Sequence, residues 1–251
     1  MRQLFFLAVA FIALTFTSCK KENSTTNPET PSKLLKKMTK TENGEITVFN
    51  FIYDASKRLT SIKSVDESEI TLLSYDAAGN LVKIDETEDE FHNIYSYTYA
   101  NGLPVSATFK SWMKHAGEPD ELIEDDVLTY TVNAGKVTGI LMEMSDGSQM
   151  DFALSYTNGN LTKVNTVGSD FYSALITWGV KKSPYPPAAK YVLDQAGFSL
   201  LFFAKNEMIS IAYDFPGNTM DKTITAQYTY DAAGYPITSN DGETQLKFEY
   251  Q

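Results

Sequence analysis

The residues best suited to metal or acid–base chemistry are two histidines and two acidic runs. His92 and His115 are the only histidines in the 251-residue chain, and neither has a second His or a Cys at metal-site spacing. Residues 85–90 and 118–126 offer carboxylate oxygens of the kind that Ca²⁺ binds, but both lack the Asp/Asn spacing of a calcium loop. We therefore expect no metal or other cofactor, and we interpret both runs as solvated hairpin loops.

The sequence contains no motif of an established catalytic type. It has neither a Gly-x-Ser-x-Gly nucleophile elbow nor a nucleotide-binding loop, so we expect a protein that is not an enzyme. The enzymatic alternative is a polysaccharide hydrolase, because a glycosidase needs only a pair of carboxylates and the chain has 32 Asp and Glu residues.

Aromatic residues offer a different chemistry, the binding of a ligand. Trp178, Tyr185 and Tyr191 lie in or beside an insertion that interrupts the regular pattern of the chain, and Trp112 precedes the second acidic run. Because an insertion can create concavity, we predict a ligand site formed by these four residues. The alternative is that the insertion only closes a barrel end or fills the interior. Prolines before residue 188 and Gly197 at the other end predict a short helix over residues 188–197.

The amino-terminal residues have the composition of an export signal. Arg2 precedes an apolar run over residues 4–16, which is followed by small residues and by Cys19, the only cysteine. The run is too short to cross a bilayer, which needs about 20 residues. The segment resembles a bacterial lipobox, which implies removal of residues 1–18 and lipidation at Cys19. An ordinary signal peptide followed by a free cysteine is the alternative.

Composition separates a tether from one folded domain. Residues 19–33 contain no large apolar side chain, so we predict a flexible tether followed by a single domain over residues 34–251. The formal net charge of −11 argues against nucleic acid as a partner, because nucleic-acid binding needs a basic face. It also argues against close contact with an anionic leaflet.

The domain itself reads as a series of β-hairpins. In residues 223–230, 245–250 and 150–156, apolar and polar side chains alternate with period two, which is typical of antiparallel strands with one buried face. Short turns follow a strand-ending Tyr at seven places, and we interpret Asp54, Asp76 and Asp231 as turn residues rather than catalytic acids. The seven tyrosines are Tyr53, Tyr75, Tyr99, Tyr130, Tyr156, Tyr213 and Tyr230. A further copy is missing near Trp178.

The clearest turn, Tyr75-Asp76-Ala77-Ala78-Gly79-Asn80-Leu81, resembles the tyrosine–aspartate (YD) repeat of Rhs-type proteins. With the lipobox and tether, the chain resembles Bacteroidetes-type lipoproteins described as porin-like in fold. We therefore expect an all-β antiparallel meander of about 12 to 16 strands, curled into a barrel or half-barrel with one short helical insertion. Charged residues on the polar rows favour a barrel in water over one that spans the membrane.

These observations predict a lipid-anchored binding or scaffold module of the cell envelope. Its expected partners are outer-membrane lipid, through Cys19, and a glycan, a peptide or an envelope protein. We expect the outer membrane as its location, with the cell surface favoured over the periplasmic face, since Lys20-Lys21-Glu22 half resembles a surface-export signal. The alternatives are a structural partner of an outer-membrane complex and the hydrolase named above.

Overall fold

The computed structural model of the protein describes residues 33–251 except residues 89, 196 and 218. The predicted signal, the lipidation site Cys19 and the tether up to residue 32 lie outside the described residues. Among the described residues, no helix has both the length and the apolar character needed to cross a bilayer.

The described chain contains seventeen strands and one short helix. The elements are β1 (Leu35–Glu42), β2 (Glu45–Tyr53), β3 (Leu59–Ser64), β4 (Ile70–Tyr75), β5 (Leu81–Thr87), β6 (Phe91–Ala100), β7 (Leu103–Met113), β8 (Glu121–Asn133), β9 (Lys136–Glu143), β10 (Gln149–Thr157), β11 (Asn160–Thr166), β12 (Ser173–Lys182), α1 (Phe198–Phe203), β13 (Asn206–Asp214), β14 (Lys222–Thr225), β15 (Gln227–Tyr230), β16 (Pro236–Asn240) and β17 (Thr244–Tyr250).

Successive strands pair antiparallel in chain order, which confirms the predicted hairpin meander. The last strand then returns to the first, with Phe248 opposite Met38 and Tyr250 opposite Leu35. The strand count is above the expected range because Ala226 divides one strand path into β14 and β15. The first of these pairs with β13 and the second with β16, so the wall is a nearly closed barrel.

The core lies inside this barrel because alternate side chains of each strand point inward. Ile84, Ile140, Leu161 and Val164 are fully buried, whereas strand neighbours such as Lys83, Asp85 and Lys163 are partly or fully exposed. The outer wall is charged: Lys83 pairs with Asp85 at 2.6 Å, and Lys110 pairs with Asp125 at 2.6 Å across β7 and β8. The one-sided apolar pattern of the sequence therefore corresponds to a single filled interior.

The connections lie at two ends of the barrel, which we name by their residues. The tyrosine rim is the end where β2, β4, β6, β8, β10, β12, β15 and β17 finish, and the opposite rim is the end where these strands begin. Residues 33 and 34 also lie at the tyrosine rim, since the Lys33 amide donates to the Tyr235 hydroxyl at 3.0 Å. Lys33, placed in the tether by its composition, thus contacts the domain.

The predicted helix over residues 188–197 is wrong. That stretch has no helix among its described residues, and the helix instead covers Phe198–Phe203. The cause is Asp194. Its carboxylate accepts hydrogen bonds from the amides of Gly197 and Ser199, both at 2.7 Å, and so satisfies N–H groups at the start of the helix. The amides of Ala188 and Ala189 donate to the Phe202 carbonyl instead of bonding within a helix.

Candidate functional site at the tyrosine rim

Tyrosine hydroxyls fasten neighbouring strands together around the tyrosine rim. At five places a side chain donates to the main-chain carbonyl oxygen of the first or second residue of the preceding strand; four of the donors are tyrosine hydroxyls and one is the Trp178 indole N–H. These rim hydrogen bonds join Tyr53 to Leu35 (2.6 Å), Tyr75 to Leu59 (2.8 Å), Tyr99 to Leu81 (2.8 Å), Trp178 to Leu161 (2.5 Å) and Tyr250 to Pro236 (2.7 Å). Since their acceptors are buried, these bonds satisfy carbonyl groups that water does not reach.

The missing copy predicted near Trp178 is Trp178 itself, because its indole replaces the phenol. Two of the seven predicted copies are not motif copies. Tyr213 lies near the opposite rim, opposite Lys222 and Ala174. In the motif copies a register shift comes directly before the tyrosine, as it does before Tyr75. In β8 the shift comes before Val132, two residues beyond Tyr130, so Tyr130 is not a copy. Tyr250 makes the same bond, and it is a copy that was not counted among the seven.

The Asp of the motif shapes the turn, as predicted. Asp54 Oδ1 accepts hydrogen bonds from the amides of Ser56 and Arg58, both at 2.9 Å, and Asp231 Oδ1 accepts from Ala233 and Tyr235 in the same way. The bond from the Asn80 amide is the main cause that lowers the pKa of Asp76. These carboxylates are therefore held ionised as hydrogen-bond acceptors.

Residues 183–205, here called the plug segment, leave β12 at the tyrosine rim and fill the barrel interior. Val192, Leu193, Leu200 and Phe202 are all at most 3% exposed. Wall tyrosines hold the segment by its backbone: the Tyr130 hydroxyl donates to the Leu193 carbonyl at 2.8 Å, and the Tyr172 hydroxyl donates to the Gln195 carbonyl at 3.1 Å. This arrangement corresponds to the alternative in which the insertion fills the interior.

Trp178 and Tyr185 lie together beside the plug segment. Both line a cavity of ≈ 20 Å³ whose other walls include Tyr228, Ser239 and Phe248. The Tyr185 ring packs against Phe202, with ring centroids 5.4 Å apart, and burial raises the pKa of its hydroxyl. A volume of this size accommodates about one water molecule, not a sugar ring.

The other two candidate residues lie apart from this cavity. The Tyr191 hydroxyl donates to the Gly102 carbonyl at 2.9 Å, so this side chain attaches the plug segment to the β6–β7 turn. Trp112 is on the outer face of β7, where its ring centroid lies 5.4 Å from that of His92 and its backbone is opposite Leu122. The structure therefore divides the four predicted residues among three places.

The interpretation of residues 85–90 and 118–126 as solvated hairpin loops is wrong in part, because residues 85–87 belong to β5 and residues 121–126 to β8. Asp126, in the second run, is only 3% exposed.

Three carboxyl groups have raised pKa values, those of Glu86, Asp194 and Glu207. Burial is the main cause that raises the pKa of Asp194, and burial with the nearby Glu88 and Asp194 raises the pKa of Glu86 to about 8. Glu207 is 2% exposed; its Oε1 accepts from the Tyr230 hydroxyl at 3.2 Å, and burial raises its pKa. No group of metal ligands forms among the described residues. Inward strand parity was the signal that could have identified Glu86.

Comparison with known proteins supports the architecture. Residues 53–90 match the sequence model of the family described as RHS Repeat, which covers the hairpins that carry Tyr53 and Tyr75. No curated protein matches the chain.

Two solved structures have a similar fold. One is a porin-like protein from Bacteroides vulgatus ATCC 8482, with 16% sequence identity, a TM-score of 0.57 and coverage of 88% of this chain and 99% of that chain. The other is a porin-like protein from Bacteroides uniformis ATCC 8492, with 15% identity, a TM-score of 0.51 and coverage of 86% and 96%. The predicted resemblance to YD/Rhs-type repeat proteins of porin-like fold is confirmed.

Proposed function

We propose that the protein is a lipid-anchored, non-catalytic binding or scaffold module of the cell envelope. The observation that carries this proposal is the filled interior. Because the plug segment occupies the barrel with fully buried apolar side chains, the porin-like wall serves as a rigid support rather than as a channel. The ion pairs on the outer wall support a barrel that stands in water, since a lipid-facing wall disfavours charge.

Anchoring at Cys19 in the outer membrane, with display at the cell surface, completes the proposal. Mass spectrometry of the mature protein should find an acylated Cys19 as its first residue. A Cys19→Ala variant should leave the membrane fraction and become soluble. Unchanged fractionation of that variant, or a mature chain without acyl groups, would contradict the anchor.

The ligand that we propose is a glycan or a peptide, bound by accessible aromatic side chains. Trp112 is the best placed of the four candidates, because it lies on the outer wall beside Leu122, which is 48% exposed. A glycan and peptide array probed with the Cys19→Ala chain tests this assignment. Trp112→Ala should abolish an array signal without loss of folding, whereas Tyr185→Ala should lower stability and leave the signal of the folded fraction unchanged. An array signal that survives Trp112→Ala contradicts the outer-wall site.

A structural role in an outer-membrane complex is the second candidate, and one observation favours it. Leu122, which is 48% exposed, lies opposite Trp112 in the β7–β8 pairing, and exposed apolar side chains are typical of a protein interface. Cross-linking in cells from position 122 would distinguish the two roles. A single protein partner supports the complex, and labelling of glycan supports the binding module.

A further inference from the structure

The two rims of the barrel carry opposite charge, although the chain as a whole is acidic. Every connection at the opposite rim contains or borders an acidic residue. In chain order these include Glu42, Asp66, Glu88, Glu118, Asp146, Asp170, Asp221 and Asp241. The turns of the tyrosine rim contain Asp54, Asp76 and Asp231, but this rim also carries a larger number of exposed lysines, namely Lys33, Lys57, Lys181, Lys182, Lys190 and Lys205. The formal charge of −11 therefore hides a strong asymmetry between the two ends of the barrel.

Four of these lysines gather where the described chain begins. Lys182 Nζ lies 4.1 Å from the centroid of the Tyr235 ring and Lys33 Nζ lies 5.6 Å from it. Lys181 Nζ lies 6.0 Å from the centroid of the neighbouring Tyr230 ring. The Ser183 amide, next in the chain to Lys182, donates to the Lys205 carbonyl at 3.1 Å, which brings that residue to the same place. We call Lys33, Lys181, Lys182 and Lys205 the lysine patch.

Among the described residues, two acidic side chains contact the patch: Asp231, and Glu207, which accepts a hydrogen bond from the Lys181 main chain. Asp231 Oδ2 lies 2.6 Å from Lys33 Nζ, while the Glu207 carboxyl is buried beneath the surface. Lys181, Lys182 and Lys205 are all exposed. The patch thus presents an excess of positive charge to solvent.

We propose that the lysine patch binds the anionic headgroups of a lipid bilayer and turns the tyrosine rim toward the membrane. Two observations select this partner. The charge is complementary to phosphate, and residues 1–32, which contain the proposed anchor site, enter the domain at this patch through Lys33. The acidic opposite rim is repelled by the same bilayer surface. Attraction at one end and repulsion at the other therefore orient the barrel in the same direction. The proposal extends the envelope role, but its test does not require lipidation.

The test is co-sedimentation of the full-length Cys19→Ala chain with vesicles. One set contains phosphatidylglycerol mixed with phosphatidylcholine, and the other contains phosphatidylcholine alone. Binding should occur with the anionic set only and should weaken as salt is added, because such attraction acts within about 8 Å at physiological ionic strength. Any contribution of the apolar residues 4–16 is the same in both sets, so the contrast isolates the charge.

Matched charge reversals locate the surface. Lys181→Glu/Lys182→Glu/Lys205→Glu should weaken binding by about a hundredfold or more, since each lysine near an anionic leaflet contributes about fivefold. Lys114→Glu/Lys163→Glu/Lys222→Glu makes the same net change at the opposite rim and on the wall, and it should leave binding nearly unchanged. Circular dichroism checks folding, and the single variant Lys205→Glu replaces the triple variant if that one unfolds.

Three outcomes would overturn the proposal. These are equal loss in the two triple variants, equal binding to both vesicle sets, and binding to soluble polyphosphate without binding to anionic vesicles. If vesicle binding fails while mass spectrometry finds an acylated Cys19, the proposed anchor stands and only the membrane-binding role of the lysine patch is contradicted.

Discussion

The regular hairpins at the tyrosine rim and the β12–β13 connection solve the same structural problem in different ways. In the β2–β3 and β4–β5 hairpins, a tyrosine makes the rim hydrogen bond and an Asp closes a short turn. At β12 the register shifts at the same point and Trp178 makes the equivalent bond, but the chain continues into the plug segment. The rim hydrogen bond is therefore separable from the turn, which explains how the wall accommodates a long insertion.

The largest expected effect tests whether the plug segment is part of the core. Phe202 is 3% exposed and its ring stacks on Phe198 with centroids 4.5 Å apart. Phe202→Ala should lower the free energy of unfolding by about 3–5 kcal/mol, because it leaves a cavity among packed rings. Urea denaturation measures this loss. Phe171→Ala, at a side chain that is 52% exposed, is the matched control and should change stability by about 0.5 kcal/mol or less.

A second test concerns the junction between the wall and the plug segment. A Cβ on Gly179 would overlap Glu207 Oε1 and lie 3.0 Å from Ile209 Cδ1, so Gly179→Ala forces a buried carboxylate to move. We expect a loss of about 1–3 kcal/mol in the free energy of unfolding. In a Glu207→Ala background the same change should cost less, because the clashing carboxylate is absent. Additive losses in the double variant would show that this contact is not the cause.

The third test compares a tyrosine of the wall with a tyrosine that holds the plug segment. Tyr75→Phe and Tyr130→Phe each leave a carbonyl without its donor, that of Leu59 and that of Leu193 respectively. Each should cost about 1–2 kcal/mol in the free energy of unfolding. Hydrogen exchange should separate them: the first should increase exchange in β3 and β4, and the second in the plug segment. Identical exchange patterns would contradict the separation of wall and plug segment.

The hairpin wall could be predicted from the sequence because its signals are local. Alternation places Tyr228 and Tyr230 on one face, and Asp-Ala turns mark the ends of strands. The errors occurred where register or tertiary context decides. Val132 carries no sequence sign of the register shift in β8, and only packing directs Tyr130 to the plug segment. The helix was misplaced because Asp194, whose capping role needs the folded chain, determines where it starts.

The site was less predictable than the fold for the same reason. Composition identified Trp112, Trp178, Tyr185 and Tyr191 as aromatic residues near irregular chain, but their separation depends on strand order. The path of the plug segment depends on buried bonds between residues distant in sequence, such as that from the Tyr130 hydroxyl to the Leu193 carbonyl. No local pattern encodes such a contact.

A smaller effect, on the pH dependence of stability, should come from the Glu86 carboxyl group inside the barrel. The folded pKa of Glu86, about 8, is above the ordinary value near 4.5, so its contribution to stability is present in acid and is lost as pH rises through about 8. Partial access of water to this side chain limits the size of the effect. Glu86→Gln should therefore gain stability relative to the parent as pH rises from about 4.5 to about 8, measured by thermal denaturation across pH. Glu45→Gln, at an exposed site, should follow the parent.

The smallest effect should come from the turns, and it has the opposite sign. Hydrogen bonds from Asn80 lower the folded pKa of Asp76 below its ordinary value of 3.8, so its contribution is present above that value and is lost as pH falls. Because this carboxylate is exposed, solvent screening keeps the effect small. Asp76→Asn should be less stable than the parent near neutrality, and the difference should shrink in acid. Asp151→Asn, on the outer wall, should show no such convergence.

The pairing of β17 with β1 has a consequence for the order in which the chain folds. Each hairpin forms between residues that are close in sequence. The β1–β17 pairing instead joins the first and last strands of the described chain, with Glu42 opposite Thr244 and Leu35 opposite Tyr250. Loop closure over such a separation is slow relative to hairpin formation. During synthesis β1 keeps one edge unpaired until β17 emerges, so the wall closes only after its other strands have been made.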